Sequence, residues 1–218
     1  MTRLLLLRHA ESEWNAEGRW QGLADPPVSP RGEAQAAQAG RLLGAAGVTS
    51  VVSSDLQRAR ATAVRIAADL PGAGPVTLEP ELREYDVGAW SGLTKAEIEA
   101  GWPGAIDEWR QGRLFSTPGG EKRDEFVARI CGAVTRLADE RPGEVVLVVT
   151  HGGVIGALCR TLGAPGRRFG HLAGVWVEAG GTRLGLGPFV SLLDGDPRWA
   201  RNDDRRRHQP AVSDTPGR

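Results

Sequence analysis

Residues 145–153 read Val-Val-Leu-Val-Val-Thr-His-Gly-Gly, an apolar run that ends abruptly in Thr150-His151. Four valines in five residues are typical of a buried strand, because β-branched side chains fit a pleated surface. Residues 4–7 form a second apolar run, four leucines bounded by charge, as expected for a buried central strand. Both stretches predict strands of a sheet that is covered on both faces.

Outward from these two strands, apolar runs alternate with helical patterns. Further strands are predicted at residues 48–53 and 76–78, and a hairpin around Gly180-Gly181. Helices are predicted from Ser29-Pro30 to Gly47, from an Asp55 cap to about Leu70, over 94–100, over 123–140, and after Gly153. Strands that alternate with helices predict an α/β fold of three α/β/α layers around a mainly parallel sheet.

Polar residues follow three of the predicted strands. Arg8-His9 follows the first, Ser53-Ser54 the second, and Thr150-His151 the strand at 145–149. Ligands of such sheets bind beyond the carboxyl ends of the strands, so we expect these residues to converge on one edge.

The amino-acid composition indicates which partners and which cellular location to expect, but it does not indicate an activity. Lys+Arg and Asp+Glu both number 27, so net charge favours neither nucleic acid nor an acidic membrane as a partner. Two cysteines argue against a disulfide framework. The apolar run at residues 4–7 is too short for a signal peptide, and no stretch approaches the roughly 20 apolar residues of a membrane span. We therefore expect a cytoplasmic protein that binds neither nucleic acid nor membrane.

The polar residues at the strand ends are weak signals singly and a strong signal together. Guanidinium groups of Arg8 and Arg58 would bind and neutralise phosphate oxygens. Of the two imidazoles, His9 and His151, one can attack phosphorus while the other hydrogen-bonds the phosphoryl group. The carboxyl group of Glu84 can protonate a departing alcohol. This set suits phosphoryl transfer.

Four stretches carry a resemblance to the histidine phosphatase superfamily, also called phosphoglycerate mutase-like. They are Leu-Arg-His-Ala-Glu-Ser-Glu-Trp-Asn at 7–15, Ser-Ser-Asp-Leu-Gln-Arg-Ala at 53–59, Leu-Arg-Glu at 82–84 followed by Gly-Ala-Trp-Ser-Gly-Leu at 88–93, and Thr-His-Gly-Gly at 150–153. Ala10 stands where the family commonly has Gly. The resemblance extends over positions from about 4 to 160, in the family's order.

The resemblance implies a role for each matching residue. His9 would be the nucleophile, and Glu84 the proton donor to the leaving group and then the base that activates water. The phosphate and substrate pocket would comprise Arg8, Arg58, His151, the Asn15 side chain, the Gly152 backbone N–H, and Gln21-Gly22 at its mouth. Arg60 should point to another face of its helix.

The resemblance also implies the domain organisation. Residues 1–195 would form a single histidine phosphatase domain, with a small lid subdomain at about 85–120, inserted after the acid loop (residues 82–84). Residues 196–218 are polar and are expected to be a flexible tail.

Other routes to phosphate chemistry lack their motifs. His9-Ala10-Glu11 matches the start of a zinc-deaminase pattern, yet no Pro-Cys-x-x-Cys follows. The sequence shows neither an Asp/His cluster for two metals nor a phosphate-binding Gly-x-x-x-x-Gly-Lys-Ser/Thr loop. We expect no metal and no cofactor, and a small-molecule phosphate monoester as the partner; a homodimer is left open.

Within the family, phosphatase, mutase and non-catalytic binding module are the alternatives. Mutases of the family resemble one another in a longer insertion after the acid loop and in Asn after His-Gly, where this chain has Gly153. The retained nucleophile and arginines argue against a non-catalytic module. Residues 93–98, 103–105 and 109–110 resemble actinobacterial glucosyl-3-phosphoglycerate phosphatases, although Lys122 replaces their usual Ser and the chain past Leu162 matches poorly.

The tryptophans at 90, 102 and 109 have two interpretations. They either pack the lid or form an aromatic wall against the leaving group. Packing is favoured for Trp90, and both interpretations stay open for the other two.

Overall fold

The computed structural model describes residues 1–180 and 183–193, which form a six-stranded sheet with helices on both faces. The strands are β1 (Thr2–Arg8), β2 (Ser50–Ser53), β3 (Thr77–Leu78), β4 (Val145–Thr150), β5 (Ala173–Gly180) and β6 (Arg183–Ser191). The helices are α1 (Glu13–Ala16), α2 (Pro30–Leu43), α3 (Gln57–Ala67), α4 (Lys95–Gly101), α5 (Ala105–Arg110), α6 (Arg123–Glu140) and α7 (Gly152–Thr161). Two 3-10 turns lie at Pro80–Leu82 and Gly88–Trp90.

The sheet is mainly parallel, as predicted. Its strand order is β3-β2-β4-β1-β5-β6; the first four strands pair in parallel, whereas β5 and β6 are antiparallel. β5 and β6 pair as the predicted hairpin requires. The second glycine of its predicted turn, Gly181, and the predicted tail at 196–218 lie outside the described residues.

Alternation along the central strands produces the three predicted layers. Leu4 and Leu6 of β1 face one core, together with apolar residues of α6 and α7. Leu5 and Leu7 face the other core, packed against α2 and α3. All four leucines are at most 1% exposed, because both sheet faces are covered.

The helix boundaries confirm some predicted caps and correct one. The Ser29 side chain accepts a hydrogen bond from the Gly32 N–H at the start of α2, as predicted, and α6 spans the predicted 123–140. Asp55 does not cap α3: the helix begins at Gln57 after Leu56, and the Asp55 carboxylate binds the Arg83 guanidinium instead. A bidentate arginine is a stronger partner than a backbone N–H, so the ion pair prevails.

Two element ends also differ from the sequence expectation. Helix α2 ends at Leu43 rather than at Gly47, and β2 begins at Ser50 rather than at residue 48. Helix α5 was not predicted, because six residues show too little periodicity.

The segment from 85 to 120 carries α4 and α5 over one end of the sheet. Thr94 and Glu97 form a capping box at the start of α4, within the predicted short helix. Trp90, Ile98 and Ile106 are fully buried and connect this segment to the core that contains α6. The ends of the segment lie side by side, since Ala89 N–H donates to Pro118 O and Glu121 N–H donates to Asp86 O.

Among residues 1–180 and 183–193, no helix combines the length and the apolar character that crossing a bilayer requires.

Candidate active site

The carboxyl ends of three adjacent strands bring the predicted polar residues together. β2, β4 and β1 are neighbours in the sheet. His9 N–H donates to Thr150 O (2.9 Å), and Ser54 N–H donates to Val149 O (3.0 Å), which fixes the three strand ends side by side. The expected convergence on one sheet edge is therefore observed.

A cavity of about 400 Å³ opens at this edge. Seven of the residues predicted for the site line it: Arg8, His9, Asn15, Gln21, Gly22, Arg58 and Glu84. His151 and Gly152 belong to the same cluster but do not line the cavity.

His9 lies at the floor of the cavity, held in one tautomer. Its Nδ1 is 2.6 Å from the carbonyl oxygen of Ala10, so Nδ1 carries the hydrogen and donates it. Nε2 then has a free lone pair. Burial first, and then the charges of Arg58 and Arg8, hold the pKa of His9 well below its usual 6.5. His9 is therefore a neutral imidazole, the form that can attack phosphorus.

Two arginines surround His9. Arg58 is 1% exposed and donates to the carbonyl oxygens of Ala24 (2.7 Å) and Gly22 (2.9 Å). Its buried Nε has no partner among the described residues. Burial lowers the pKa of Arg58 to about 10, so it remains charged at neutral pH. Arg8 is oriented by a 2.7 Å hydrogen bond to Phe169 O. Both guanidinium groups retain N–H donors for a bound anion.

His151 lies directly beside His9. The ring centroids are 5.2 Å apart, and the His151 Nε2 is 2.9 Å from Ser54 Oγ. His151 is fully buried, and burial together with the charge of Arg58 holds its pKa well below 6.5. Its Nδ1 has no partner within the described part of the chain. This neutral ring packs edge-on against the predicted nucleophile.

The Glu84 carboxylate is held by two backbone amides. Oε1 accepts from Tyr85 N–H (2.9 Å), and Oε2 accepts from Gly153 N–H (3.0 Å) in the first turn of α7. A Cβ at position 153 would overlap Oε1 and lie 3.0 Å from the carboxyl carbon, so this contact requires glycine. Gly153, which the resemblance used only to separate phosphatases from mutases, thus positions the predicted acid.

A capping box orients the predicted polar donor Asn15. Its Oδ1 accepts from Ser12 N–H at 3.2 Å, which leaves the amide Nδ2 available as a donor toward the cavity. Gln21 Oε1 lies 2.9 Å from the Ser12 hydroxyl. Gly22 has a φ of 54°, and a Cβ there would lie 2.7 Å from a Val87 methyl group, so glycine is required.

Sequence reasoning missed most of the outer wall of the cavity. Arg19, Trp20, Tyr85 and Trp109 line it. The ring centroids of Trp109 and Tyr85 are 4.5 Å apart, and the Arg123 guanidinium lies 3.9 Å from the Trp109 ring centroid. Trp109 therefore packs against its neighbours and also lines the cavity. The Trp-rich composition was the only available signal. Trp90 is fully buried, as the packing interpretation expected.

A third histidine also lies near the predicted nucleophile. The His171 ring centroid is 6.2 Å from that of His9. Burial, followed by the charge of Arg8, lowers the pKa of His171 to about 4. His171 is in the part of the chain where the resemblance is poor, and no motif indicated it.

Within the described ranges 1–180 and 183–193, no three His, Cys, Asp or Glu side chains lie together as metal ligands would.

The comparisons with known proteins agree with this geometry. The profile of the histidine phosphatase superfamily (branch 1) matches residues 4–177. The chain therefore belongs to the histidine phosphatase superfamily.

Named relatives place it within the family. It is 37% identical over 211 residues to the glucosyl-3-phosphoglycerate phosphatase of Mycolicibacterium vanbaalenii, covering 89% of this chain and 88% of the relative. It is 39% identical over 171 residues to a probable phosphoglycerate mutase of Cronobacter sakazakii, covering 76% and 77%. The structure of a mycobacterial glucosyl-3-phosphoglycerate phosphatase with VO3 superimposes with a TM-score of 0.79 at 33% identity, covering 87% and 98%. The predicted class, a phosphoric monoester hydrolase of the histidine phosphatase type, is confirmed.

Proposed function

We propose that this phosphatase hydrolyses a small phosphate monoester of the sugar phosphate or phosphoglycerate type through a phosphohistidine on His9. The observation that carries the proposal is the tautomer of His9. Its Nδ1 hydrogen is bonded to a backbone carbonyl, so the Nε2 lone pair is the free end of a ring that lines the cavity between two arginines.

In the first step, His9 Nε2 attacks phosphorus and the bond from phosphorus to the ester oxygen breaks. Arg8 and Arg58 neutralise the charge on the remaining phosphoryl oxygens. The departing alkoxide takes a proton from the Glu84 carboxyl group, so an alcohol leaves. This step therefore uses the protonated form of Glu84.

In the second step, the Glu84 carboxylate removes a proton from water as the water oxygen attacks phosphorus. The bond between phosphorus and Nε2 breaks, and its electron pair returns to His9. Inorganic phosphate leaves, with Glu84 protonated and His9 neutral again. The amides of Tyr85 and Gly153 hold the same carboxyl group for both proton transfers.

For the ester itself, we propose glucosyl-3-phosphoglycerate. Support comes from the names of the relatives and from the outer wall of the cavity. Trp20 and Trp109 offer flat apolar faces on which a sugar ring can lie. Arg19 also lies at the mouth, where its guanidinium already pairs with Glu17 (2.8 Å) and Glu97 (3.6 Å).

Phosphoglycerate mutation is the second candidate, because relatives at 38–39% identity are named probable phosphoglycerate mutases. Gly153 and the short segment between Glu84 and α6 favour the phosphatase. The third alternative, a non-catalytic binding module, would bind the ester without turnover.

The proposal extends to partners and location. The equal numbers of basic and acidic residues support a small anionic ester, rather than nucleic acid or membrane, as the partner. Two cysteines suit the reducing cytoplasm. A homodimer stays an open alternative.

A panel of phosphate monoesters, assayed with EDTA and with or without a bisphosphoglycerate primer, tests the proposal. We expect phosphate release without primer, highest for glucosyl-3-phosphoglycerate, inhibition by vanadate, and an acid-labile, base-stable phosphate on quenched enzyme. Isomerised phosphoglycerate formed only with primer would indicate a mutase, and ester binding without any turnover would indicate a binding module. Loss of activity in EDTA, restored by a divalent ion, would contradict the two-arginine pocket.

A further inference from the structure

Arg129 lies in the middle of α6. All three of its guanidinium nitrogens donate hydrogen bonds, either to backbone carbonyl oxygens of residues 81–84 or to the carboxylate of Glu121, which directly follows the lid. Nη1 donates to the carbonyl oxygens of Glu81 (2.7 Å) and Arg83 (2.8 Å), and Nη2 to Glu84 O (3.1 Å). Nε and Nη2 also donate to the two carboxylate oxygens of Glu121, at 2.7 and 2.9 Å. These five bonds match the five N–H groups of a guanidinium. Arg129 does not line the cavity and belongs to none of the four motifs.

The bonded carbonyls belong to the backbone that carries the predicted acid. No strand ladder holds these three carbonyl oxygens in this irregular segment, so without Arg129 their hydrogen bonds would have to come from water. Thr150 Oγ1 adds a 2.8 Å hydrogen bond to Leu82 O from the side of the sheet. Together Arg129 and Thr150 hold residues 81–84 from both sides.

Glu121 connects the same guanidinium to the other end of the lid. Glu121 N–H donates to Asp86 O (3.1 Å), and the Tyr85 hydroxyl donates to Glu121 O. The Arg129–Glu121 pair is largely buried, with side chains 21% and 17% exposed. Arg129 thus connects the two ends of the lid. It binds the carbonyl oxygen of Glu84 just before the lid and the carboxylate of Glu121 just after it.

We propose that Arg129 is a positioning residue that places the Glu84 carboxyl group for proton transfer to the leaving group; this rests on the proposed role of Glu84 as the acid. Lysine cannot substitute, because an ammonium group has three donors and lacks the planar fork that bonds three carbonyls and a carboxylate at once. Misplacement of a catalytic group by about 1 Å can cost about 10²-fold in rate.

Arg136 provides a matched control on the same helix. It lies two turns further along α6 and donates to the carboxylates of Glu79 (2.6 Å) and Glu81 (2.9 Å), not to the backbone of the acid loop. Its side chain is 43% exposed. The Arg136→Lys variant therefore changes the same group on the same helix without touching Glu84.

The test is single-turnover phosphorylation of His9 by an alkyl ester and by p-nitrophenyl phosphate, whose leaving anion needs little protonation. For Arg129→Lys we expect about a tenfold to 10²-fold loss with the alkyl ester and a much smaller loss with the aryl ester, which is the pattern of Glu84→Gln. Arg136→Lys should match wild type with both esters. Equal losses for the two esters in Arg129→Lys, or no loss, would overturn the proposal.

A second variant covers the case in which Arg129→Lys does not fold. Glu121→Gln keeps the three hydrogen bonds from Arg129 to backbone carbonyls and weakens the ion pair. We therefore expect a smaller loss of phosphorylation rate, again confined to the alkyl ester. If a folded Glu121→Gln protein shows no such loss, the proposal is overturned. Failure of the proposed function is separable, because it would appear in the wild type as missing phosphohistidine, or in Glu84→Gln as equal losses for both esters.

Discussion

The two ends of the cavity are built by different means. The phosphate end is lined by Arg8, His9 and Arg58, and His151 packs against His9 without lining the cavity. These residues come from strand ends and the first turns of helices, and three of the four are at most 3% exposed. The mouth (Arg19, Trp20, Tyr85 and Trp109) comes from the segment after α1 and from the segment 85–120, and its tryptophans are half-buried. Strand ends and helix starts therefore build one end of the cavity, and the segments that connect the strands build the other.

The largest effect should come from the phosphate end. His9→Ala removes the nucleophile and with it the covalent intermediate, so hydrolysis should fall by on the order of 10³-fold or more. Phosphate release and acid-quenched phosphoenzyme measure it, with thermal unfolding as the check that the variant folds. Substantial turnover by His9→Ala would contradict the mechanism.

Glu84 lies between the two ends of the cavity. Gly153→Ala should push the Glu84 carboxyl group away from its hydrogen bond with the backbone N–H of residue 153, at the start of α7. The added Cβ overlaps the carboxylate, so phosphorylation by alkyl esters should slow by about tenfold to 10²-fold, given the cost of small misplacements. Gly156→Ala makes the same change on α7, where the nearest atom is an Arg160 nitrogen at 3.5 Å. Rates measured for both variants should differ; equal rates would mean that Glu84 does not depend on residue 153.

Substitutions at the mouth of the cavity should change activity less than those at His9 or Gly153, and the change should appear in KM. Trp109→Ala removes an aromatic face whose contact is worth about 0.5–1.5 kcal/mol, so KM for a sugar ester should rise by about two- to tenfold with little change in kcat. Trp102→Ala, a tryptophan that packs against the core without lining the cavity, is the control. If kcat fell instead, Trp109 would belong with the catalytic groups.

A separate effect, on stability and not on turnover, concerns pH. Folding lowers the pKa of His171 to about 4, through burial and the charge of Arg8, against the opposing charge of Glu11. Between about pH 6.5 and 4 the unfolded chain therefore binds a proton that the folded chain does not, and stability falls as pH falls. Urea unfolding at several pH values should show a shallower decline for His171→Gln than for wild type. An unchanged slope would show that His171 does not contribute.

Local sequence determined the phosphate end. Each residue there directly follows a buried strand or lies in the first turn of the next helix, and parallel strands must place such ends on one edge. Arg8, His9 and His151 could therefore be predicted to meet before any contact was known, whereas the family resemblance placed Arg58 with them. Ser29-Pro30 and the periodicity of residues 123–140 predicted helices correctly for the same reason, since caps and apolar spacing are local properties.

Tertiary structure alone decided the rest, because the partners are distant in the chain. Asp55 pairs with Arg83 instead of capping its own helix, Gly153 meets Glu84 from 69 positions away, and Arg129 holds backbone carbonyls 45–48 positions earlier. Backbone carbonyls are identical in every residue, so no sequence pattern indicates which of them a buried arginine will bind. The mouth could not be predicted either. Arg19, Trp20 and Tyr85 lie on irregular segments and Trp109 lies on a six-residue helix, so their positions depend on packing rather than on periodicity.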